Sequence, residues 1–290
     1  MKKICFILII FIFLTGCSVN EDSMNNINIY TSTYPLNFLL DYLYGDNSKI
    51  YSIYPTGVDI NEYELSDRKL EEYSKSDLFV FNSLDKDRDY AVSMINLNSN
   101  LKVIDSALGM SYDYSVEELW LNPYNYLMMA ENIKNGLTEY ITNPFLVSNK
   151  EGTGIEDKYK ELEYDISKLD SDLTETINNG VYKTIVVDND LFKYLEKYGL
   201  TVISLEENDD LSTNKINEVK KLIENKQISY IYSADEESNN TVKNLINETG
   251  IELVTINTMY SIDGGITNTN DNYLTVMTNN INLIKKELYK

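Results

Sequence analysis

The chain of 290 residues carries 46 acidic side chains against 25 basic ones, contains no histidine, and has only two cysteines. Its formal charge of −21 sets it against nucleic-acid phosphate and anionic headgroups, and the lack of imidazole excludes histidine-based catalysis and histidine metal ligation. The length is enough for about two domains, each with a core of its own.

The first stretch, MKKICFILIIFIFLTGC, has Lys2 and Lys3, then an apolar run from Ile4 through Leu14, then small residues before Cys17. The run is short for a membrane span and reads as a secretory signal over residues 1–16. The ending Leu14-Thr15-Gly16-Cys17 resembles a bacterial lipobox, which implies cleavage before Cys17 and lipid attachment to its thiol. The other reading is a short anchor left uncleaved. With cleavage, Cys5 is discarded and Cys17 is blocked, so the exported part has neither a free thiol nor a disulfide. Loss of the two lysines makes its charge −23. Membrane association would then be covalent rather than electrostatic.

Residues 17–26 are polar and short, as expected of a tether. Four short runs rich in β-branched and aromatic residues follow: INIYTST (27–33), KIYSIY (49–54), LFVFNS (78–83) and KVIDSA (102–107). Segments of helical periodicity separate them. A second set comprises TIVVD (184–188), TVISLE (201–206), SYIYSA (229–234) and ELVTIN (252–257), with a final helix near 271–288. Alternation of this kind predicts parallel sheets covered by helices, in an N-terminal α/β lobe (27–153) and a C-terminal one (181–290). Between them, Ile155, Tyr159, Leu162, Ile166, Leu169, Leu173 and Ile177 recur every three or four residues. That stripe predicts one connecting helix within 154–180, of about six to seven turns, with Asn179-Gly180 as its C-cap signal. Such a helix, packed on both lobes, would restrict hinge motion.

In open parallel sheets, ligands gather at the carboxyl ends of the strands. Those ends offer Asn61 among Asp59, Glu62 and Glu64, then Glu118, in the first lobe. In the second they offer Asp188 and Asn189, Ala234 and Asp235, and Asn257. Each also has a plain structural reading. Asn61 can close an Asx turn, Ser115 to Glu118 fits a capping box, Asp188 or Asn189 can cap a helix, and Asn257 can start a turn. Trp120, the single tryptophan, reads as a core anchor. The 24 tyrosines are spread through strands and helices and read as compositional bias rather than a sugar-stacking platform.

The ordered series TSTYPL (31–36), GVDINEYE (57–64), DLFVFNS (77–83), LWLNP (119–123), FKYL (192–195), ETG (248–250) and YLTVM (273–277) resembles the zinc- and manganese-binding lipoproteins of bacterial ABC importers. The resemblance implies two parallel-sheet α/β lobes joined by one long rigid helix, with a metal bound in the cleft between them. It also implies a membrane permease and its ATPase as partners, and a place on the extracytoplasmic face of the cell membrane. Carried over by motif, the family's ligand positions fall on Asn61, Glu118, Asn189 and Asn257, with Asp188 and Asp235 as further candidates. No imidazole remains at any of them. An oxygen-only set favours manganese, calcium or magnesium over zinc, which prefers nitrogen and sulfur donors.

No phosphate-binding glycine loop, nucleophile elbow or nucleophile–base pair occurs, so the chain reads as a binding protein rather than an enzyme. The alternative is a surface interaction lipoprotein that keeps the scaffold and binds no metal. If the lipobox reading holds, mass spectrometry of the native protein finds an acylated Cys17 at the N-terminus, and Cys17→Ala releases the protein from the membrane fraction. A mature form starting at another residue would reject it.

Overall fold

The structure, a computed structural model, describes residues 24–55, 58, 60, 62–234, 238–260 and 271–290. The signal, Cys17, Asn61 and Asp235 lie outside the described residues.

The N-terminal lobe runs β1 (Ile27–Thr31), α1 (Tyr34–Tyr44), β2 (Ser48–Ser52), α2 (Asp67–Tyr73), β3 (Leu78–Phe81), α3 (Asp87–Leu97) and β4 (Lys102–Asp105). Three further helices follow, α4 (Glu118–Leu121), α5 (Pro123–Tyr140) and α6 (Pro144–Val147), before the connecting helix α7 (Ile155–Asn179). The C-terminal lobe runs β5 (Thr184–Val187), a 3-10 helix (Asp190–Tyr198), β6 (Thr201–Ser204), α8 (Thr213–Glu224), β7 (Tyr230–Ser233), α9 (Asn240–Thr249), β8 (Glu252–Thr255) and α10 (Tyr273–Leu288).

The two sheets are wholly parallel and share one order, β2-β1-β3-β4 and β6-β5-β7-β8. The lobes are therefore one topology used twice, with no repeat visible in the residues. All eight predicted strands are present, and each ladder stops one or two residues before its apolar run ends. Those last residues leave the sheet at its carboxyl edge. There Ser32, Asn82, Ser106 and Asp188 are buried, beyond the last paired residues of their strands.

Every residue of the α7 stripe is buried, from Ile155 to Ile177. At 25 residues the helix is about 37 Å long, enough to reach along both lobes. It packs on α1 and α5 on one side and on α10 and the 3-10 helix on the other. The lobes do not have separate cores, contrary to what the length suggested. One cluster joins β1, β3 and β4 side chains to those of β5, β7 and β8 through α7, and each lobe adds a smaller cluster on its outer side.

The helix ends where Asn179-Gly180 predicted, with Gly180 as its C-cap, but not for the expected reason. The residue has φ −62 and ψ 141, an ordinary extended conformation, so it supplies no left-handed cap. It is small because α10 ends against it. A Cβ there would lie 2.8 Å from Leu288 Cβ, while the amides of Val181 and Tyr182 bond the Leu288 carbonyl at 2.8 and 3.1 Å.

One buried carboxylate fixes the carboxyl edge of the first lobe. Asp87, 2 % exposed, stands at the start of α3 and accepts the Ser32 hydroxyl at the end of β1. It also accepts the Tyr54 hydroxyl at 3.4 Å. Burial strips its charge of water and pushes its pKa from 3.8 up to about 7. The folded chain thus holds this proton across a pH range in which the unfolded chain has released it.

Two outcomes follow. Gly180→Ala should lower stability by about 1–3 kcal/mol through overpacking against Leu288, seen as a fall in Tm; an unchanged Tm would mean that α10 yields freely. Because the folded state binds more protons between pH 4 and 7, Asp87 lowers stability as pH rises through that window, by at most about 4 kcal/mol. In urea melts at a series of pH values, Asp87→Asn should lack this component. Parallel profiles for the two proteins would refute it.

Candidate functional site

The lobes meet at their carboxyl edges around α4. The Glu118 side chain at its start is 1 % exposed. The carboxylate accepts the backbone amides of Tyr114 at 2.6 Å, Ser115 at 3.1 Å and Asp113 at 3.4 Å. Tyr114 and Ser115 share Oε1, whereas Oε2 has only the long bond from Asp113. A carboxylate has about four lone-pair directions, so Oε2 keeps accepting capacity.

Two residues on, Trp120 is buried and spans the seam. Its Nε1 donates to the Thr258 carbonyl at 2.7 Å, and its ring lies 5.8 Å from that of Tyr260 at an interplanar angle of 20°. It is a core anchor, as its apolar neighbours Leu119 and Leu121 suggested. It also draws the turn after β8 against α4, which brings Asn257 to the same junction as Glu118. The Asn257 side-chain oxygen accepts the Met259 amide at 2.8 Å. The Asn257 main chain is held on both sides by the Asn280 side chain, at 3.2 and 2.8 Å.

Asn189 is the N-cap of the 3-10 helix, accepting the Leu191 amide at 2.8 Å. That helix presents Tyr194 toward Glu118, whose charge, after burial, raises the phenol pKa. Lys197 reaches Asp113 across the seam at 3.3 Å. Asp188 turns instead into its own lobe, taking the Ser233 hydroxyl and the Ala234 amide at 3.4 Å. Three sequence candidates, Glu118, Asn189 and Asn257, therefore sit on elements that converge, and Asp188 serves the C-terminal sheet edge. Among the described residues no group of three or more histidine, cysteine, aspartate or glutamate side chains is arranged to hold a metal ion.

The seam also contains residues that motif reasoning passed over. Tyr260 reaches from the second lobe to Asp85 in the first, hydroxyl to Oδ2 at 3.4 Å. Its pKa is raised by burial and then by the charges of Asp85, Glu117 and Asp87, so it stays a neutral donor. Tyr54, raised by burial and by Asp87, does the same. Asp85 and Asp87 follow β3 at the carboxyl edge, a position the strand-end rule could have flagged. Tyr260 had no signal, since its partner lies 175 residues away.

Chemically, the junction offers carboxylate and amide oxygens, phenols and one indole, with one formal negative charge among the three converging candidates. It can accept a cation or hydrogen-bond donors, and it has no nucleophile paired with a base.

Known proteins share this fold. The chain is 22% identical over 315 aligned residues to the zinc-binding lipoprotein AdcA of Streptococcus pneumoniae, covering 99% of this chain and 61% of that one. It is 24% identical over 221 residues to the manganese ABC transporter substrate-binding lipoprotein PsaA of the same species, covering 69% and 70%. The chain thus spans about three fifths of the AdcA length. The fold matches the Zn(II)-bound ZnuA-like domain of S. pneumoniae AdcA with a TM-score of 0.71 at 21% identity, over 92% of this chain and 100% of that domain. It matches the metal-dependent lipoprotein YcdH of Bacillus subtilis with a TM-score of 0.73 at 19% identity, over 91% and 100%. The family model of the periplasmic component A of zinc-uptake complexes, ZnuA, matches residues 29–287, and with nearly its whole length so matched the chain belongs to that family.

Proposed function

We propose that the protein is the extracytoplasmic, lipid-anchored substrate-binding component of a metal-type ABC importer, and that its solute is a divalent cation taken by oxygen atoms alone. What supports this reading is that the elements carrying Glu118, Asn189 and Asn257 touch: Trp120 ties α4, which begins at Glu118, to the turn that follows Asn257, and Tyr194 of the 3-10 helix capped by Asn189 faces Glu118, in a chain without histidine. Asn61 is assigned to the same site from its place in GVDINEYE, and Asp188 and Asp235 are reserve carboxylates. A set with one charge and neutral amides suits manganese or another oxygen-preferring ion better than zinc, whose affinity rests on nitrogen and sulfur donors. The relatives named for zinc and manganese support the class of solute, and the permease and ATPase are the partners that this class requires. Catalysis plays no part. No helix among the described residues is long and apolar enough to cross a membrane, so the anchor in this reading is the acylated Cys17.

A second reading rests on the same atoms. The Glu118, Asn189 and Asn257 oxygens already accept backbone amides, which is the state of a scaffold kept for surface interaction without metal. The experiment that separates them uses the mature domain without a histidine tag, stripped of metal and equilibrated with manganese, calcium, magnesium and zinc in turn. Manganese or calcium at about 100 times its Kd should add about 2.7 kcal/mol, a Tm rise of about 5–10 °C for a chain of this size. Glu118→Gln should remove most of it. Tight one-to-one zinc binding would overturn the oxygen-ligand assignment, and no response to any ion would favour the metal-free reading.

A further inference from the structure

Lys86 lies in the turn between β3 and α3, in the sequence Asp85-Lys86-Asp87. Its ammonium crosses to the loop after β2, where it donates to the Ile60 carbonyl and to the Tyr63 carbonyl at 2.9 Å. It also lies 5.4 Å from the centroid of the Tyr54 ring, which stands edge-on to Tyr63 at 6.0 Å. Ile60 is buried, so this is an internal contact of the lobe.

Two backbone carbonyl oxygens and an aromatic face are what an unhydrated cation seeks. The loop they belong to is the one assigned above to the solute site, with Asn61 next to Ile60. We propose that Lys86 is the resident cation of this loop, a positioning residue whose tethered ammonium fills a built-in cation site and fixes the loop before any solute arrives. This rests on the reading that the loop faces the solute. Tethering decides the competition, because a side chain already on the protein gives up far less freedom on binding than a dissolved ion does. The Tyr54 ring beneath the ammonium is itself held by its hydroxyl on Asp87. Asp87, Tyr54, Lys86 and the loop carbonyls thus form one chain of contacts from the end of β1 to the loop.

The test is amide hydrogen exchange on the mature protein without added metal, comparing the peptide over residues 58–65 with peptides of α7. Lys86→Ala removes the three outer methylenes and the ammonium, the equivalent of n-propylammonium. Exchange in 58–65 should quicken about tenfold or more, with α7 unchanged, and n-propylammonium should restore protection where tetrapropylammonium, which has no N–H, does not. Lys86→Met, which keeps the volume and loses the charge, should exchange as fast as Lys86→Ala and serves in its place should the alanine variant fold poorly. Unchanged exchange in either variant, or restoration by both salts or by neither, would overturn the proposal. Since no metal enters the measurement, a chain that binds no divalent ion would give the same answer here, and the two claims fail separately.

Discussion

The structure depends on a single constraint: one helix must seal two lobes at once. Seven apolar side chains of α7 are buried against both, each worth roughly 1.5–3 kcal/mol on burial. Because they share one stripe, neither lobe can move away without exposing it. In this highly charged chain, whose described residues hold no cysteine, that shared burial does the work that disulfides do in smaller exported domains. It also sets what kind of binding site is possible. Lobes that share a core resist moving apart, so if the junction binds a solute as proposed, selectivity would come from the donor atoms rather than from the extent of closure.

The tyrosines complete that seal. Tyr273 of α10 donates to the Trp120 carbonyl at 2.6 Å and stacks on Tyr126 at 3.9 Å, and Tyr126 in turn donates to the Pro35 carbonyl at 2.7 Å. Tyr198 joins Asp170 of α7 at 2.7 Å and Asn122 at 3.3 Å. Each ring fills apolar space while its hydroxyl donates to a main-chain or side-chain oxygen, so the polar tip is satisfied where the ring is buried. Burial raises the pKa of all three phenols, so these hydroxyls stay neutral donors near neutrality. What composition presented as bias is, at these positions, the means by which polar backbone passes between lobes.

Strands and spine were legible because they depend on local periodicity. The runs beginning INIY, LFVF, TIVV and ELVT announce their own secondary structure, and the three- and four-residue spacing from Ile155 to Ile177 names every buried apolar position of α7 in advance, leaving only Thr176 unannounced. The role of Gly180 was not legible, because the reason for a glycine there is Leu288, more than a hundred residues away. The site divides in the same way. Motif order pointed to Glu118, Asn189 and Asn257, which stand at the start of α4, at the N-cap of the 3-10 helix and just after β8. Tyr260 and Lys86 gave no warning, since each acts through a partner that only the fold supplies, whereas the strand-end position of Asp87 could have flagged it. The plain readings were legible too: Asn189 caps a helix and Glu118 binds nearby amides, as their local sequences suggested.

Those two uses of the same atoms bear on what an ion would meet. In Glu118, Oε1 is committed to two amides and Oε2 to one long contact, and Asn189 and Asn257 each give one lone pair to a turn. An ion entering the proposed site would have to approach these oxygens in directions fixed by those turns, because breaking a buried amide bond would leave an unsatisfied donor at a cost of about 1–3 kcal/mol. Zinc demands a close tetrahedron at about 2.0 Å from oxygen and tolerates such fixed directions poorly. An ion that accepts irregular geometry at about 2.3–2.6 Å, as calcium does, can use lone pairs left over from folding. Imidazole can bind metal through one nitrogen while the other is held by a hydrogen bond; in the proposed site the oxygens that shape the turns would also have to be the oxygens offered to the solute.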